Sequence, residues 1–100
     1  MNSGLKQETI DAINGVFASY PQVKEVILYG SRAKGNYHNG SDIDLTMLGD
    51  ELDLNTQYRI ENVLDDLLLP YKIDLSIRNN IENPELLDHI NRVGLMFYKS

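Results

Sequence analysis

The sequence predicts a small α/β (α+β) fold in which a mixed sheet of about three strands is flanked by helices. Segments with apolar residues at helical spacing alternate along the chain with short segments in which every second residue is apolar. The chain has 100 residues, of which 42% are hydrophobic, and this suffices for one modest core. We therefore expect a single domain over residues 1–100.

The first half of the chain is predicted to contain a helix, a strand, a short helical turn and a second strand. Leu5 to Tyr20 carries apolar residues on one helical face and ends before a proline. Val23 to Tyr29 is rich in β-branched residues and is followed by glycine, as expected of a buried strand. Ser31 to Gly35 is predicted to form a helical turn, and Ser41 to Leu48 alternates apolar and polar residues.

The second half is predicted to contain two helices and a third strand. Residues 54–69 form a helix that ends before a proline, with core-facing positions at Ile60, Val63, Leu64, Leu67 and Leu68. Tyr71 to Ile77 alternates as a strand does. Asn83-Pro84-Glu85 is typical of a helix start, and Gly94 is the expected C-terminal cap. Leu95 to Tyr98 is apolar, so we expect it to pack on the core or on a partner.

Charge and composition exclude several kinds of protein. The net charge of −6, with both signs spread along the chain, argues against direct nucleic-acid binding. The absence of cysteine excludes disulfides and thiolate metal sites. There is no apolar leader segment and no apolar run near the ~20 residues that span a bilayer. We therefore expect a cytoplasmic protein without membrane contact.

Two carboxylates separated by one isoleucine are the first candidate site residues. Asp42 and Asp44 occupy positions i and i+2 of a predicted strand, so their side chains project from one face, roughly 6–7 Å apart. Such a pair can share Mg²⁺ ions, which prefer hard oxygen ligands and retain positions for water and phosphate. The alternative is that both residues only face water at a strand edge.

A third carboxylate strengthens the prediction of a metal site. Asp74 lies between Ile73 and Leu75 in the third predicted strand, where it interrupts an apolar stretch. If this strand is the neighbour of the Asp42 and Asp44 strand, three carboxylates converge on one face. Such a set suits the metal pair, ~3.5–4 Å apart, that holds attacking and leaving oxygens during nucleotidyl transfer. An exposed position on an open sheet is the alternative for Asp74.

A Gly-Ser turn follows the first predicted strand. Gly30 permits close approach of the backbone, and the hydroxyl and N–H groups of Ser31 can bond phosphate oxygens. Arg32 and Lys34 could add positive charge, but on a short surface helix we expect them to be solvated. His38 lies in a polar loop and is also expected to be exposed.

Taken together, these residues resemble the nucleotidyltransferase superfamily related to DNA polymerase beta, and within it the minimal nucleotidyltransferase (MNT) family. That superfamily has a Gly-Ser turn, an Asp-x-Asp pair on the next strand and a third Asp on a later strand. The helix and strand order also resembles the family core, so the resemblance covers most of the chain. The matching residues are Gly30, Ser31, Ala33, Gly35, Ser41, Asp42, Asp44, Leu45 and Asp74.

The resemblance implies a metal-dependent enzyme in which a hydroxyl attacks the α-phosphate of a nucleoside triphosphate, by expectation ATP, and pyrophosphate leaves. It implies that Asp42 and Asp44 bind two Mg²⁺ ions. Asp74 would complete the site and help to activate the attacking hydroxyl. Gly30 and Ser31 would hold the outgoing β- and γ-phosphates.

The resemblance also implies a partner. Larger superfamily members carry a further domain for the acceptor, whereas MNT members resemble antitoxins paired with a HEPN-domain toxin, and some transfer AMP to a tyrosine of that toxin. We therefore expect an antitoxin whose acceptor site is built partly by the toxin. Two alternatives remain: a non-catalytic antitoxin that neutralises its partner by binding, and a transferase that modifies a small hydroxylated molecule such as an aminoglycoside.

Overall fold

The computed structural model describes residues 3–100, which form four α-helices, four β-strands and one 3-10 turn. The mixed α/β architecture predicted from the sequence is confirmed, and each predicted helix is present. In chain order the elements are α1 (Gln7–Ala18), β1 (Glu25–Tyr29), α2 (Ser31–Lys34), β2 (Ile43–Leu48), α3 (Leu54–Asp66), β3 (Ile73–Ile77), the 3-10 turn (Arg78–Asn80), α4 (Pro84–Val93) and β4 (Leu95–Lys99).

The strands form one mixed sheet in the order β3-β2-β1-β4. β1 is antiparallel to both β2 and β4, whereas β2 and β3 run parallel. The prediction of about three strands was one too few, because β4 does not alternate. A bulge opposite Val26 and Ile27 makes Phe97 an extra residue, and both Phe97 and Tyr98 pack against the core.

The two faces of the sheet are covered by different helices. Val26 and Leu28 belong to the main core, to which α1 and α3 contribute buried residues. Ile27, which alternates with them, points to the opposite face and contacts the end of α4 at Gly94. β2 and β3 bring their polar residues to this second face. No helix within residues 3–100 is long and apolar enough to cross a membrane.

The caps predicted for α4 are confirmed. The side chain of Asn83 accepts hydrogen bonds from the N–H groups of Glu85 and Leu86 at 2.9 and 3.2 Å. Gly94 ends the helix by donating its N–H to the carbonyl of Ile90 at 2.9 Å. A side chain at Gly94 would collide with that carbonyl and with Ile27, so glycine at this position lets the end of α4 lie close to β1.

The end of α3 differs from its prediction. The helix stops at Asp66, because the next residues make only short-range turns and Leu68 adopts a positive φ of 55°. Leu68 is 87% exposed and Val63 is 39% exposed, so neither is a core residue. Leu67 and Leu69 do pack against the core. The run of three leucines was thus wrongly read as a continuation of the helical period.

Candidate active site

The strand register brings two of the predicted acids side by side. Asp44 on β2 is the direct partner of Asp74 in the parallel pairing with β3, and of Tyr29 in the antiparallel pairing with β1. Residues opposite one another in neighbouring strands share a face of the sheet. Asp42 precedes β2 and lies two residues from Asp44, so strand periodicity gives it the same face.

Electrostatics show that these carboxylates interact. The pKa of Asp44 is raised, first because the group is partly buried, and then because the carboxylates of Asp74 and Asp42 are close. His89 acts in the opposite direction. The ionised carboxylate of Asp44 is therefore partly buried and lies close to two like charges.

The Gly-Ser turn touches the same carboxylate. Gly30 has φ 74° and ψ −157°, a conformation that residues with a side chain rarely adopt. A Cβ atom at this position would collide with Oδ2 of Asp44. The absence of a side chain at Gly30 therefore allows the turn that carries Ser31 to lie directly against Asp44.

His89 is a site residue that the sequence analysis missed. Its Nε2 accepts a hydrogen bond of 3.0 Å from the N–H of Gly30, which ties α4 to the turn. The imidazole also packs edge-on against the ring of Tyr29, with centroids 6.2 Å apart. A signal was present in the sequence: His89 lies three residues after Leu86 and four before Val93, on the apolar face of α4.

Tyr29 is the second residue that the sequence analysis did not single out. Burial is the main reason that the pKa of its hydroxyl is raised, and the carboxylates of Asp74 and Asp44 act in the same direction. The hydroxyl of Ser76 lowers it. Tyr29 is therefore buried on the face of the sheet that carries Asp44 and Asp74. Because Val26 and Leu28 point to the main core, strand alternation would have placed Tyr29 on this opposite face.

Arg32 contradicts its prediction, whereas Lys34 and His38 are exposed as expected. The Arg32 side chain is only 1% exposed, although it lies on a helix of four residues. Its guanidinium is surrounded by backbone carbonyl groups and two tyrosine rings. The periodicity of so short a helix does not reveal that the following loop folds back over it.

The donor set suits a divalent cation in its chemistry. Asp42, Asp44 and Asp74 offer the hard oxygen ligands that Mg²⁺ prefers. Burial first, and then the neighbouring carboxylates of Asp74 and Asp42, raise the pKa of Asp44, and a bound cation would offset this repulsion. Within residues 3–100, no three His, Cys, Asp or Glu side chains are close enough together to form a complete metal cluster. The three acids are thus neighbours on one face rather than a closed cage.

Comparison with protein families decides the affiliation of the chain. The model of the family described as "Polymerase beta, Nucleotidyltransferase" matches residues 11–100. The chain belongs to this family. The turn and all three acids lie inside the matched segment. No curated protein matches the chain significantly.

Solved structures of the polymerase beta nucleotidyltransferase fold extend the comparison. A toxin-antitoxin structure with AMP-PNP is 22% identical, with a TM-score of 0.71, over 96% of this chain and 75% of that one. The complex of a tri-AMPylated HEPN toxin with its MNT antitoxin from Shewanella oneidensis is 18% identical, with a TM-score of 0.69, over 96% and 74%. The MntA-HepT toxin-antitoxin is 18% identical, with a TM-score of 0.68, over 95% and 74%. At these identities the similarity establishes the fold.

Proposed function

We propose that this chain is a metal-dependent nucleotidyltransferase that transfers AMP from ATP to a tyrosine hydroxyl of a HEPN-domain toxin and thereby acts as an antitoxin. The observation that carries the proposal is the pairing of Asp44 with Asp74 beside the Gly-Ser turn. A sheet that only needed a polar face would avoid opposing two carboxylates, because like charges at directly opposite positions destabilise a sheet.

The carboxylates would divide the work. Asp42 and Asp44 would hold Mg²⁺, with Asp74 completing the ligand set. When bound, Mg²⁺ neutralises the charge that develops on the departing pyrophosphate. Asp74 lies on β3, an edge strand, and is exposed, so the hydroxyl of an incoming acceptor can reach it. There Asp74 would accept a hydrogen bond from that hydroxyl and favour loss of its proton.

The turn would bind the phosphates that leave. Ser31 is partly exposed and offers a hydroxyl and a backbone N–H, both of which can donate to phosphate oxygens. The N–H of Gly30 already donates to His89 in this structure. We therefore assign the direct phosphate contact mainly to Ser31, whereas Gly30 would allow the phosphates and Asp44 to approach the backbone closely.

The nature of the partner is supported by similar structures. Several of them are toxin-antitoxin complexes, one with a tri-AMPylated HEPN toxin and another with AMP-PNP. They support AMP as the transferred group and a HEPN toxin as its acceptor. The exposed position of Asp74 is compatible with an acceptor hydroxyl that a second protein brings to the sheet edge.

The test is a transfer assay with labelled ATP, Mg²⁺ and the product of the neighbouring gene, which the proposal expects to be a HEPN-domain protein. The wild type is compared with Asp44→Asn and with a control, Asp66→Asn, which removes an exposed charge at the end of α3. We expect the wild type and the control to label the partner, and Asp44→Asn to leave it unlabelled. Chelation with EDTA should abolish labelling by the wild type.

The same assay separates the two alternatives. A binding-only antitoxin would give no transfer with any nucleotide, while Asp44→Asn would neutralise the toxin as well as the wild type does. A small-molecule transferase would leave the partner unlabelled and label a hydroxylated compound such as an aminoglycoside. Either result would overturn the proposed acceptor, and the first would also overturn the enzymatic activity.

A further inference from the structure

We propose, on the basis of the transfer function proposed above, that Arg32 is a positioning residue whose guanidinium fixes the segments carrying Ser31, Asp42 and Asp74 relative to one another. Arg32 directly follows Ser31 in the Gly-Ser motif, and its side chain is the largest that is fully buried among residues 3–100. Its role would be exerted through these three residues, without contact with the substrate.

The hydrogen bonds of Arg32 join three parts of the chain. Nε and Nη2 donate to the carbonyl of Ser41 at 3.2 and 3.0 Å, and this residue directly precedes Asp42. Nη2 also donates to the carbonyl of Asn39 at 3.4 Å, and Nη1 to the carbonyl of Ser3 at 2.9 Å. The loop before β2 and the segment before α1 are thus bound to the helix that carries Ser31.

Two aromatic rings complete the surroundings. The guanidinium carbon lies 5.2 Å from the ring centroid of Tyr37 and 4.9 Å from that of Tyr71. Tyr37 belongs to the same loop, and a side chain at Gly4 would collide with its ring. Tyr71 lies just before β3, the strand that carries Asp74. Arg32 therefore contacts the residues that lead into β2 and those that lead into β3, the two strands on or beside which the candidate ligands lie.

The chemistry of this contact set favours a geometric role. No carboxylate pairs with Arg32 among residues 3–100, so the guanidinium is a buried cation held by carbonyl dipoles and ring faces. Burying a charge without an anion is costly, and a solvated side chain would avoid that cost. The planar fork of arginine can donate to several carbonyls in fixed directions, whereas the single ammonium of lysine cannot span them.

The experiment compares Arg32→Ala and Arg32→Lys with Lys34→Ala, an exposed cation of the same helix. Backbone amide resonances are recorded first, without metal or nucleotide. Both Arg32 variants should shift the resonances of Ser31, Asp42 and Asp74, while Lys34→Ala leaves the two aspartates unchanged. Ethylguanidinium, at concentrations far below those that denature proteins, should enter the space left in Arg32→Ala and return these resonances toward the wild type.

Activity is then measured at a temperature at which each variant is fully folded. We expect kcat to fall roughly 100-fold in both Arg32 variants, as for a small misplacement of catalytic groups. Ethylguanidinium should restore Arg32→Ala but not Arg32→Lys, whose side chain occupies the space. A purely structural role would lower Tm and leave the kcat of the folded variant unchanged.

The outcomes distinguish this proposal from the proposed function. Unshifted Asp42 and Asp74 resonances in both Arg32 variants would overturn the positioning role, whatever the activity. If the wild type transfers no nucleotide, the transfer function fails, and with it the proposal that Arg32 positions residues for transfer. Shifted and rescued resonances would in that case still show that Arg32 fixes the segments that carry Asp42 and Asp74. If Arg32→Ala does not fold, the resonances and kcat of Arg32→Lys decide the question.

Discussion

Three glycines of this protein allow backbone strain to be separated from the placement of Asp44. Gly30 and Gly35 both have positive φ angles, 74° and 91°, but only at Gly30 would a Cβ atom meet another group, the Asp44 carboxylate. Gly15 lies within α1 in open space. Alanine therefore introduces strain and a collision at Gly30, strain alone at Gly35, and neither at Gly15.

The expected magnitudes follow from this difference. Strain of this kind lowers the free energy of unfolding by about 1–3 kcal/mol. Each kcal/mol lowers the Tm of a domain of this size by roughly 4–8 °C, so both Gly30→Ala and Gly35→Ala should melt at a clearly lower temperature than the wild type. The Asp44 carboxylate can rotate away from a new methyl group, so the collision should add little to the loss of stability. It should instead displace the carboxylate proposed to hold the metal and reduce the proposed transfer roughly 100-fold. Gly15→Ala should raise stability by about 0.5–1 kcal/mol.

Two assays test this reasoning. Thermal unfolding measures the stability of all three variants, and labelled-ATP transfer measures their activity below Tm. A carboxyl NMR titration then follows Asp44 directly: in Gly30→Ala its pKa should return toward the usual range, as the group moves into solvent. Equal activity of Gly30→Ala and Gly35→Ala would refute the reasoning, as would an unchanged Asp44 titration in Gly30→Ala.

Three further predictions concern single side chains. Without metal, Asp44→Asn should raise Tm at neutral pH by an amount equivalent to about 1 kcal/mol, the repulsion of charges on neighbouring strands. Because the Asp44 pKa is raised above 3.8, its cost to folding grows as pH rises through the folded pKa, so the gain should vanish in acid. His89→Ala should lower the free energy of unfolding by about 0.5–1.5 kcal/mol. His89→Gln should lower it less, because the glutamine side chain can accept the hydrogen bond from the N–H of Gly30. Leu68→Asn should raise the free energy of unfolding by about 1 kcal/mol, because asparagine tolerates the left-handed conformation that Leu68 adopts at φ 55°.

Thermal unfolding between acid and neutral pH, with EDTA present, checks these three predictions. A lower Tm for Asp44→Asn at neutral pH would show that the carboxylate stabilises the metal-free fold. Equal losses in His89→Ala and His89→Gln would mean that ring packing against Tyr29, not the hydrogen bond, holds α4 to the turn. A destabilised Leu68→Asn would show that this exposed leucine makes contacts of its own.

The sequence was most informative where periodicity alone decides the result. Alternation places Asp42 and Asp44 on one face, and a third alternating segment carries Asp74, so their common face required only that β2 and β3 be neighbours. That condition holds in the structure. Their assignment as metal ligands stays a prediction, because carboxylate spacing cannot specify what binds between the side chains.

The features that were missed depend on contacts between distant segments. His89 reaches Gly30 only because α4 crosses the second face of the sheet, and no local pattern encodes that crossing. Arg32 is buried by a loop whose carbonyl groups turn inward, which depends on backbone geometry rather than residue type. β4 was overlooked because its bulge breaks the period of two that identified β2 and β3.

The bond between His89 and Gly30 has a consequence for how the protein is made. It joins residues separated by 59 positions, and β4, which pairs with the same central strand, comes later still. During synthesis the turn, Asp42 and Asp44 leave the ribosome well before α4 and β4 do, whereas Asp74 leaves it shortly before α4. The turn would therefore be fixed by His89 only after α4 has been synthesised, so the candidate site would take its final form late in folding.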